Sequence, residues 1–430
     1  MATETRPSLL RILEVVAAVV VIMMMSNALI GPLLDPKQTG GDQIPILRLL
    51  WLPVYAVIAG LTLLRLPDIG RYWAPALGLL LLIAWTFASV TWSIAPDITM
   101  RRAVAVAITT LFGLYLAASF GGRGLSEVLA FSFLILALGS YVVSLAFPSI
   151  GVHSGVNGGL WRGLWYEKNQ MGAMMVYGAI AALAAAITSP RRRGLWIFTL
   201  VLCAGLIVMT RSTTSLLSLG IILSGAGMLG LMGLGPAAAV AAVWLSVTGA
   251  MVLGGIYTLA PDLLFHAVGK DPSLTGRTQI WQAVLRDSRE APLTGYGYAA
   301  FWDRQSAPAK WIRSKLEWVV PNAHNGWLDL LIQLGQIGVA LFAALFGAAL
   351  LAALFRHRRV RDGYWSTLFL AVFFIELLSE SFILNQNSLQ WVLAVAAMAR
   401  MLGPMPGAAT PAAPRTTPAR SFQEARPAPA

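Results

Sequence analysis

The chain has 430 residues, of which 57% are hydrophobic and only 12% charged. A soluble domain carries about 25% charged residues, and the apolar positions here gather into runs of about 15 to 29 residues, lengths suited to a hydrocarbon layer ~30 Å thick. An ordinary soluble globular protein is therefore excluded. The formal charge of +12 is spread over short clusters between apolar runs. Those clusters read as topology signals and exclude a nucleic-acid-binding face. A single cysteine, Cys203, excludes a disulfide framework or a thiolate metal cluster within the chain.

Taken in chain order, apolar windows predict twelve spans: 12–30, 46–64, 73–90, 104–120, 128–147, 171–188, 195–209, 215–234, 238–259, 327–355, 365–384 and 389–402. Backbone amides must be satisfied inside lipid and no period-two alternation is present, so the spans are helices and the fold class is an all-α polytopic membrane protein. Short loops rich in Lys and Arg stay cytoplasmic. That rule puts Arg6, Arg11, Arg65, Arg71, the run Arg191–Arg193 and the cluster Arg356, Arg358, Arg359 and Arg361 inside. Both termini then lie in the cytoplasm, while Arg101 and Arg102 lie outside, at the mouth of the fourth span. The first span is long for a signal-peptide core and reads as a retained anchor. Four regions follow: helices in 1–260, a large extracytoplasmic loop 261–326, further helices in 327–402, and a disordered Pro/Ala-rich cytoplasmic tail 403–430.

A loop of that length is uncommon unless it carries function. Within it, Thr275-Gly276-Arg277 opens a segment whose Ile280, Trp281, Val284 and Leu285 share one helical side, which predicts an amphipathic helix at the membrane surface. Arg277 stands at the amino end of that helix, a natural anion site, although a salt-bridged surface arginine fits the spacing too. Gly295-Tyr296-Gly297-Tyr298 reads as a structural turn, since no strand-to-helix context supports a phosphate cradle. Asn322 or Asn325 would cap the tenth span. His324 lies between them, placed either to take a proton or simply to hydrogen-bond.

Outside the large loop, Arg211 interrupts two apolar spans and needs an anion or a carboxylate. Glu376 and Glu380, one helical turn apart, are candidate partners for Arg211 or Arg102. A smaller outer loop brings Arg162, Glu167, Lys168 and Asn169 together with aromatic residues that are either interfacial belt residues or sugar platforms. No cluster of His, Asp and Glu has metal-ligand spacing, and there is no Walker-type motif.

Trp92-Ser93-Ile94-Ala95-Pro96-Asp97, Glu167-Lys168-Asn169-Gln170-Met171-Gly172, Arg211 to Ser215, Thr275-Gly276-Arg277 with Trp281, Gly295-Tyr296-Gly297 and His324-Asn325 occur in order over about residues 90 to 340. In this ordered set the sequence resembles the O-antigen ligase and Wzy-type polysaccharide polymerase superfamily, especially its ExoQ-like exopolysaccharide-production branch. The resemblance implies a glycosyltransferase of the GT-C type in the bacterial inner membrane. Such an enzyme works at the periplasmic face on undecaprenyl-diphosphate-linked glycans, without cofactor, metal or nucleotide sugar. It further implies that Arg211 and Arg277 bind the diphosphate and that His324 is essential. Arg102, Arg162, Glu167, Lys168, Asn169, Trp281, Tyr296, Tyr298, Asn325 and Glu380 are the expected substrate-binding residues. Expected partners are the lipid-linked glycan, a glycan acceptor, membrane lipids and other polysaccharide assembly proteins. Polymerase is favoured over a ligase to lipid A core. A transporter or flippase would show repeated halves and broken helices around a midplane site, and no repeat is visible; an assembly scaffold is the remaining alternative.

Overall fold

A computed structural model describes residues 8–34, 45–120, 124–231, 277–316, 320–356 and 363–404, with scattered positions between 234 and 248. Most of the expected ninth span 238–259, the loop residues 261–276 with Thr275 and Gly276, the cations Arg6, Arg358, Arg359 and Arg361, and most of the tail lie outside the described residues. The described chain is helical, with one isolated antiparallel bridge between Val152 and Trp161.

The principal helices are α1 (Leu9–Met25), α2 (Pro45–Leu64), α3 (Trp73–Ala88), α4 (Pro96–Ser119), α5 (Gly124–Ala146), α6 (Lys168–Thr188), α7 (Arg193–Thr210) and α8 (Thr213–Leu231). Further along the chain come α9 (Arg277–Asp287), α10 (Ala307–Leu316), α11 (Gly326–Arg356), α12 (Gly363–Glu376) and α13 (Leu389–Leu402). Among the described residues, α3 to α8 and α11 supply seven helices long and apolar enough to cross a membrane, while α2, α12 and α13 are apolar but shorter. The chain is a multi-pass membrane protein.

At the centre stands α13, buried from Leu389 to Met401 and packed against α3, α4, α11 and α12. Lipid tails give no hydrophobic drive between helices, so close backbone approach at small residues does the holding. Gly113 illustrates this, since a Cβ there would stand 2.6 Å from the Cβ of Val395. On the other flank α6, rich in alanine and glycine, packs on α5 and α7; Gly178 admits Phe133 and Cys203. Arg11 and Arg65, expected as topology markers, both close on the buried Glu14 at 2.6 Å, and Tyr115 Oη donates to the same carboxylate.

Two expected spans are corrected. The eleventh, 365–384, stops as a helix at Glu376. Beyond it the chain turns through left-handed residues at Leu384 and Asn387, and the Asn387 amide donates to Thr109 Oγ1, about 20 Å along α4 from Pro96. The connection 377–388 thus re-enters the bundle, where non-helical backbone is tolerated because protein groups satisfy it. An apolar window cannot detect this, since Leu377, Leu378, Phe382, Ile383 and Leu384 are as hydrophobic as a helix would be.

The tenth span, 327–355, is broken at Gly335, whose φ of 64° and ψ of −170° belong to a region open essentially to glycine alone. Thirty-one continuous helical residues would run about 46 Å, whereas the part from Gln336 onward runs about 30 Å, a membrane thickness. The break frees backbone groups, and the 292–297 turn takes them up. Tyr296 N donates to Ile332 O and Gly297 N to Gln333 O (both 3.0 Å), while Gln336 N and Ile337 N donate to Pro292 O and Leu293 O (2.8 and 3.3 Å). Leu334 O accepts from Trp85 Nε1 at 3.0 Å.

Any Cβ at Gly335 would sit 2.2 Å from the backbone of Leu293, whereas one at Gly347 meets nothing within 4 Å. Gly335→Ala should therefore cost about 2–4 kcal/mol and Gly347→Ala almost nothing. Thermal unfolding midpoints of the two variants in detergent provide the check.

Candidate functional site

The large connection folds as a module on its own small core. Ile280 and Val284 of α9 pack with Phe301, Ile312, Val320, Ala323 and Ile332. The expected amphipathic helix exists, but its apolar side faces this protein core and not a membrane surface, and Leu285, expected on that side, is 45% exposed. Geometry explains the difference: α10 and the start of α11 compete for the same face of α9 and exclude lipid from it.

The 92–97 segment and the Gly295–Tyr298 turn, far apart in sequence, are docked together. Ile94 N donates to Tyr296 O at 3.1 Å and Trp92 Nε1 to Thr294 O at 3.1 Å. Gly295 and Gly297 both have positive φ, and a Cβ on Gly297 would strike Ser93 at 2.4 Å. The turn is structural, as its sequence indicates. Its Tyr298 amide donates to Ser89 Oγ at 3.1 Å, and its phenol, raised by burial and so kept protonated, donates to Leu384 O. Tyr296 Oη points instead at Glu290 (2.8 Å) and Asp287 O (3.1 Å), with burial first and Glu290 next raising its pKa.

This framework holds His324. Asn322 Oδ1 accepts from the His324 amide at 2.9 Å, and Asn325 Oδ1 caps α11 by accepting from Trp327 N and Leu328 N, both at 3.1 Å. Between these two turns His324 is forced to φ 48°, a left-handed conformation uncommon for a non-glycine residue and concentrated at functional sites. Trp281 Nε1 donates to Ala323 O at 2.9 Å, which ties α9 to the histidine turn. Asp329, buried one turn into α11, accepts from Ala323 N (3.1 Å) and Trp302 Nε1 (2.6 Å) and fixes the turn from the other side.

Arg277, His324 and Glu380 converge. Glu380 Oε1 lies 3.6 Å from Arg277 Nη2, and Oε2 lies 3.8 Å from His324 Nδ1, with all three side chains 22–30% exposed. These are ion-pair separations, slightly long for direct hydrogen bonds. Glu380 reaches this position because it sits at the mouth of the re-entrant connection, where Gly326 N donates to Leu377 O at 2.8 Å. One turn earlier, the buried Glu376 accepts from Tyr177 Oη of α6. Neither glutamate pairs with Arg211 or Arg102, which corrects that expectation.

Arg211 ends α7 in a left-handed turn, φ 47°, its amide donating to Val208 O at 3.1 Å and its exposed guanidinium making no hydrogen bond or ion pair to the described residues. The following Ser212 and Ser215 pack against Gly172, so the 167–172 and 211–215 motifs meet across α6 and α8. Arg102 Nη1 donates to Ala299 O at 3.2 Å, and Arg162 uses its guanidinium on the loop carbonyls of Ile150 and Ser149, at 2.7 and 3.2 Å. Glu167 and Lys168 lie beside His153, and Asn169 is exposed at the start of α6. His153 Nε2 accepts from the Lys168 amide at 3.1 Å, so the ring is neutral and its 3.7 Å approach to Glu167 is not an ion pair. Among the described residues, no group of three or more His, Cys, Asp or Glu side chains is arranged to hold a metal ion.

Fold and site together define a polytopic all-helical membrane protein with an arginine, a histidine and a carboxylate gathered where a folded connection joins the bundle. Residues 198–343 match the Wzy_C family model, described as O-antigen ligase. The exopolysaccharide production protein ExoQ of Rhizobium meliloti (strain 1021) is 28% identical over 291 residues, covering 63% of this chain and 64% of that relative. By these two matches the chain is similar, over part of its length, to O-antigen ligase and ExoQ-like exopolysaccharide production proteins. The family model covers Arg211, Arg277, His324 and the Gly335 break, but ends before Glu380. Sequence reading passed over Tyr177, Asp329 and Gln333; an acid in the first turn of a capped helix was the one available signal, for Asp329.

Burial first holds His153 below its ordinary range, Glu167 opposing and the charges of Arg162 and Lys168 assisting. The unfolded chain binds this proton near pH 6.5 and the folded chain only lower, so this contribution to stability is lost as pH falls below about 6.5. His153→Gln, which cannot titrate, should flatten that part of the pH dependence of thermal unfolding.

Proposed function

We propose that this protein is a membrane glycosyltransferase of polysaccharide assembly with a GT-C-type architecture. It moves a glycan from an undecaprenyl-diphosphate carrier to an acceptor sugar hydroxyl at the periplasmic face of the inner membrane. The observation that carries the reading is the meeting of Arg277, His324 and Glu380 around one partly open position.

The acceptor hydroxyl attacks the anomeric carbon, the anomeric C–O bond to diphosphate breaks, and undecaprenyl diphosphate departs with the bonding pair. His324 takes the hydroxyl proton. Its Nδ1 edge faces Glu380, whose carboxylate lies 3.8 Å away, close enough to offset the positive charge that the ring gains with the proton. Arg277 neutralises the growing charge on the diphosphate, with Arg211 as the second guanidinium, so two forked cations do what a divalent metal does elsewhere. The Arg211 guanidinium, lacking a protein partner among the described residues, is free to meet an anionic ligand. A single displacement inverts the anomeric centre.

Polymerase is the primary reading because the curated relative is an exopolysaccharide production protein. Ligation to lipid A core is the second, since the matching family model is described as O-antigen ligase. Purified protein given a defined lipid-linked repeat should release undecaprenyl diphosphate and make longer glycans without lipid A core; a requirement for that core would select the ligase.

His324→Asn suits the left-handed backbone yet removes the base, and it should lower the transfer rate about 10²- to 10⁴-fold. Arg277→Lys should lower it at least about tenfold, since a point charge cannot replace the fork. Glu380→Gln should lower the transfer rate severalfold, because Arg277 and His324 lose the carboxylate that lies between them. Single-turnover transfer reads all three, and wild-type rates in both the His324 and Arg277 variants refute the site.

A further inference from the structure

The face of α9 turned away from Arg277 carries a groove that the proposed transfer chemistry does not use. Gln279, Gln282, Ala283 and Arg286 lie roughly half a helical turn around α9 from Arg277 and Trp281. With Trp311, Ile312 and Lys315 of α10 they enclose a cavity of about 360 Å³, at the lower end of the ~300–1,000 Å³ of ligand clefts. Its floor is the buried Ile312, and its wall is the indole of Trp311, 42% exposed.

The rim is preorganised and cationic. Asp287, only 4% exposed, accepts from both Nε and Nη2 of Arg286 through Oδ1, at 2.8 and 2.6 Å. That grip fixes the guanidinium, whose Cζ lies 3.8 Å from the centre of the Trp311 ring. Lys315 adds a second cation, and Gln279 and Gln282 offer amides that both donate and accept. No acid lines the groove, and residues 277–316 as a whole hold seven basic side chains against three acidic. Amides suit hydroxyl groups, the face of an indole ring suits the C–H face of a pyranose, and fixed cations suit carboxylates. A lipid surface would need a broad apolar face, whereas this groove is a concave cleft with an apolar floor and wall and with amides and cations at its rim.

We propose that this groove is a second glycan site, which binds an acidic polysaccharide strand on the side of α9 opposite the Arg277–His324–Glu380 cluster. The proposal deepens the glycosyltransferase reading and rests on it for the strand's origin. A chain held there would stay on the enzyme between additions.

Fluorescence anisotropy with labelled tetragalacturonate tests the binding directly, using the full chain in nanodiscs of neutral lipid. Trp311→Ala and Lys315→Gln should each weaken binding about tenfold or more, and labelled maltotetraose, which is neutral, should bind more weakly than the acidic probe. The second variant changes only an exposed side chain and guards against misfolding in the first. Wild-type affinity in both variants, equal affinity for acidic and neutral probes, or competition by phosphatidylglycerol in the discs that removes glycan binding would overturn the proposal. Absence of transfer by the wild-type chain, with groove-dependent binding intact, would overturn the enzymatic reading and leave the binding site standing.

Discussion

The exchange of backbone hydrogen bonds at Gly335 is the constraint on which the rest of this structure depends. A helix broken inside a bundle would leave carbonyls and amides unsatisfied at a cost of several kcal/mol each. The 292–297 turn removes that cost by donating to Ile332 and Gln333 and accepting from Gln336 and Ile337. Because the bonds run in both directions, the connection and the membrane helix fix each other's register. Everything attached to the turn inherits that register, including the 92–97 segment on one side and the small core under α9 and α10 on the other.

The candidate site is a product of this docking. Arg277 belongs to the connection, His324 to the turn that starts α11, and Glu380 to the re-entrant segment between α12 and α13. Asn322 holds the His324 amide locally, but contacts between distant segments bring the three together. Trp281 and Asp329 bind the same short stretch, Ala323, from α9 and α11, so a shift of either helix moves the imidazole. The left-handed conformations at His324 and Arg211 fit the same view, since strained backbone persists where surrounding structure over-determines it.

Local grammar was legible in the sequence. Asn325 caps its helix as its position indicates, the two glycines around Tyr296 make the expected turn, and α13 begins and ends where its apolar run does. Features set by tertiary contact were not legible. Nothing in the hydropathy of 327–355 marks Gly335 as a break, because glycine is common enough in membrane helices and the torsion that matters arises only when Leu293 presses against it. The apolar run through Leu384 gives no hint that its last residues leave the helix, and the face of α9 was assigned to lipid because periodicity names a buried side without naming what covers it. The pairing of Glu380 with Arg277 and His324 joins three distant segments, and single-sequence reasoning could reach only the candidates, not their partners.

The brevity of α12 and α13 has one more consequence. At the far end, Arg356 of α11 grips Gly403 O at 2.8 Å and also Met401 O, so α11 and α13 finish level. Counted back from there, the 14 residues of α13 rise about 21 Å while α11 rises about 30 Å before its break. The 377–388 connection fills that difference, and it can do so as non-helical chain because protein groups such as the Thr109 hydroxyl take up its backbone.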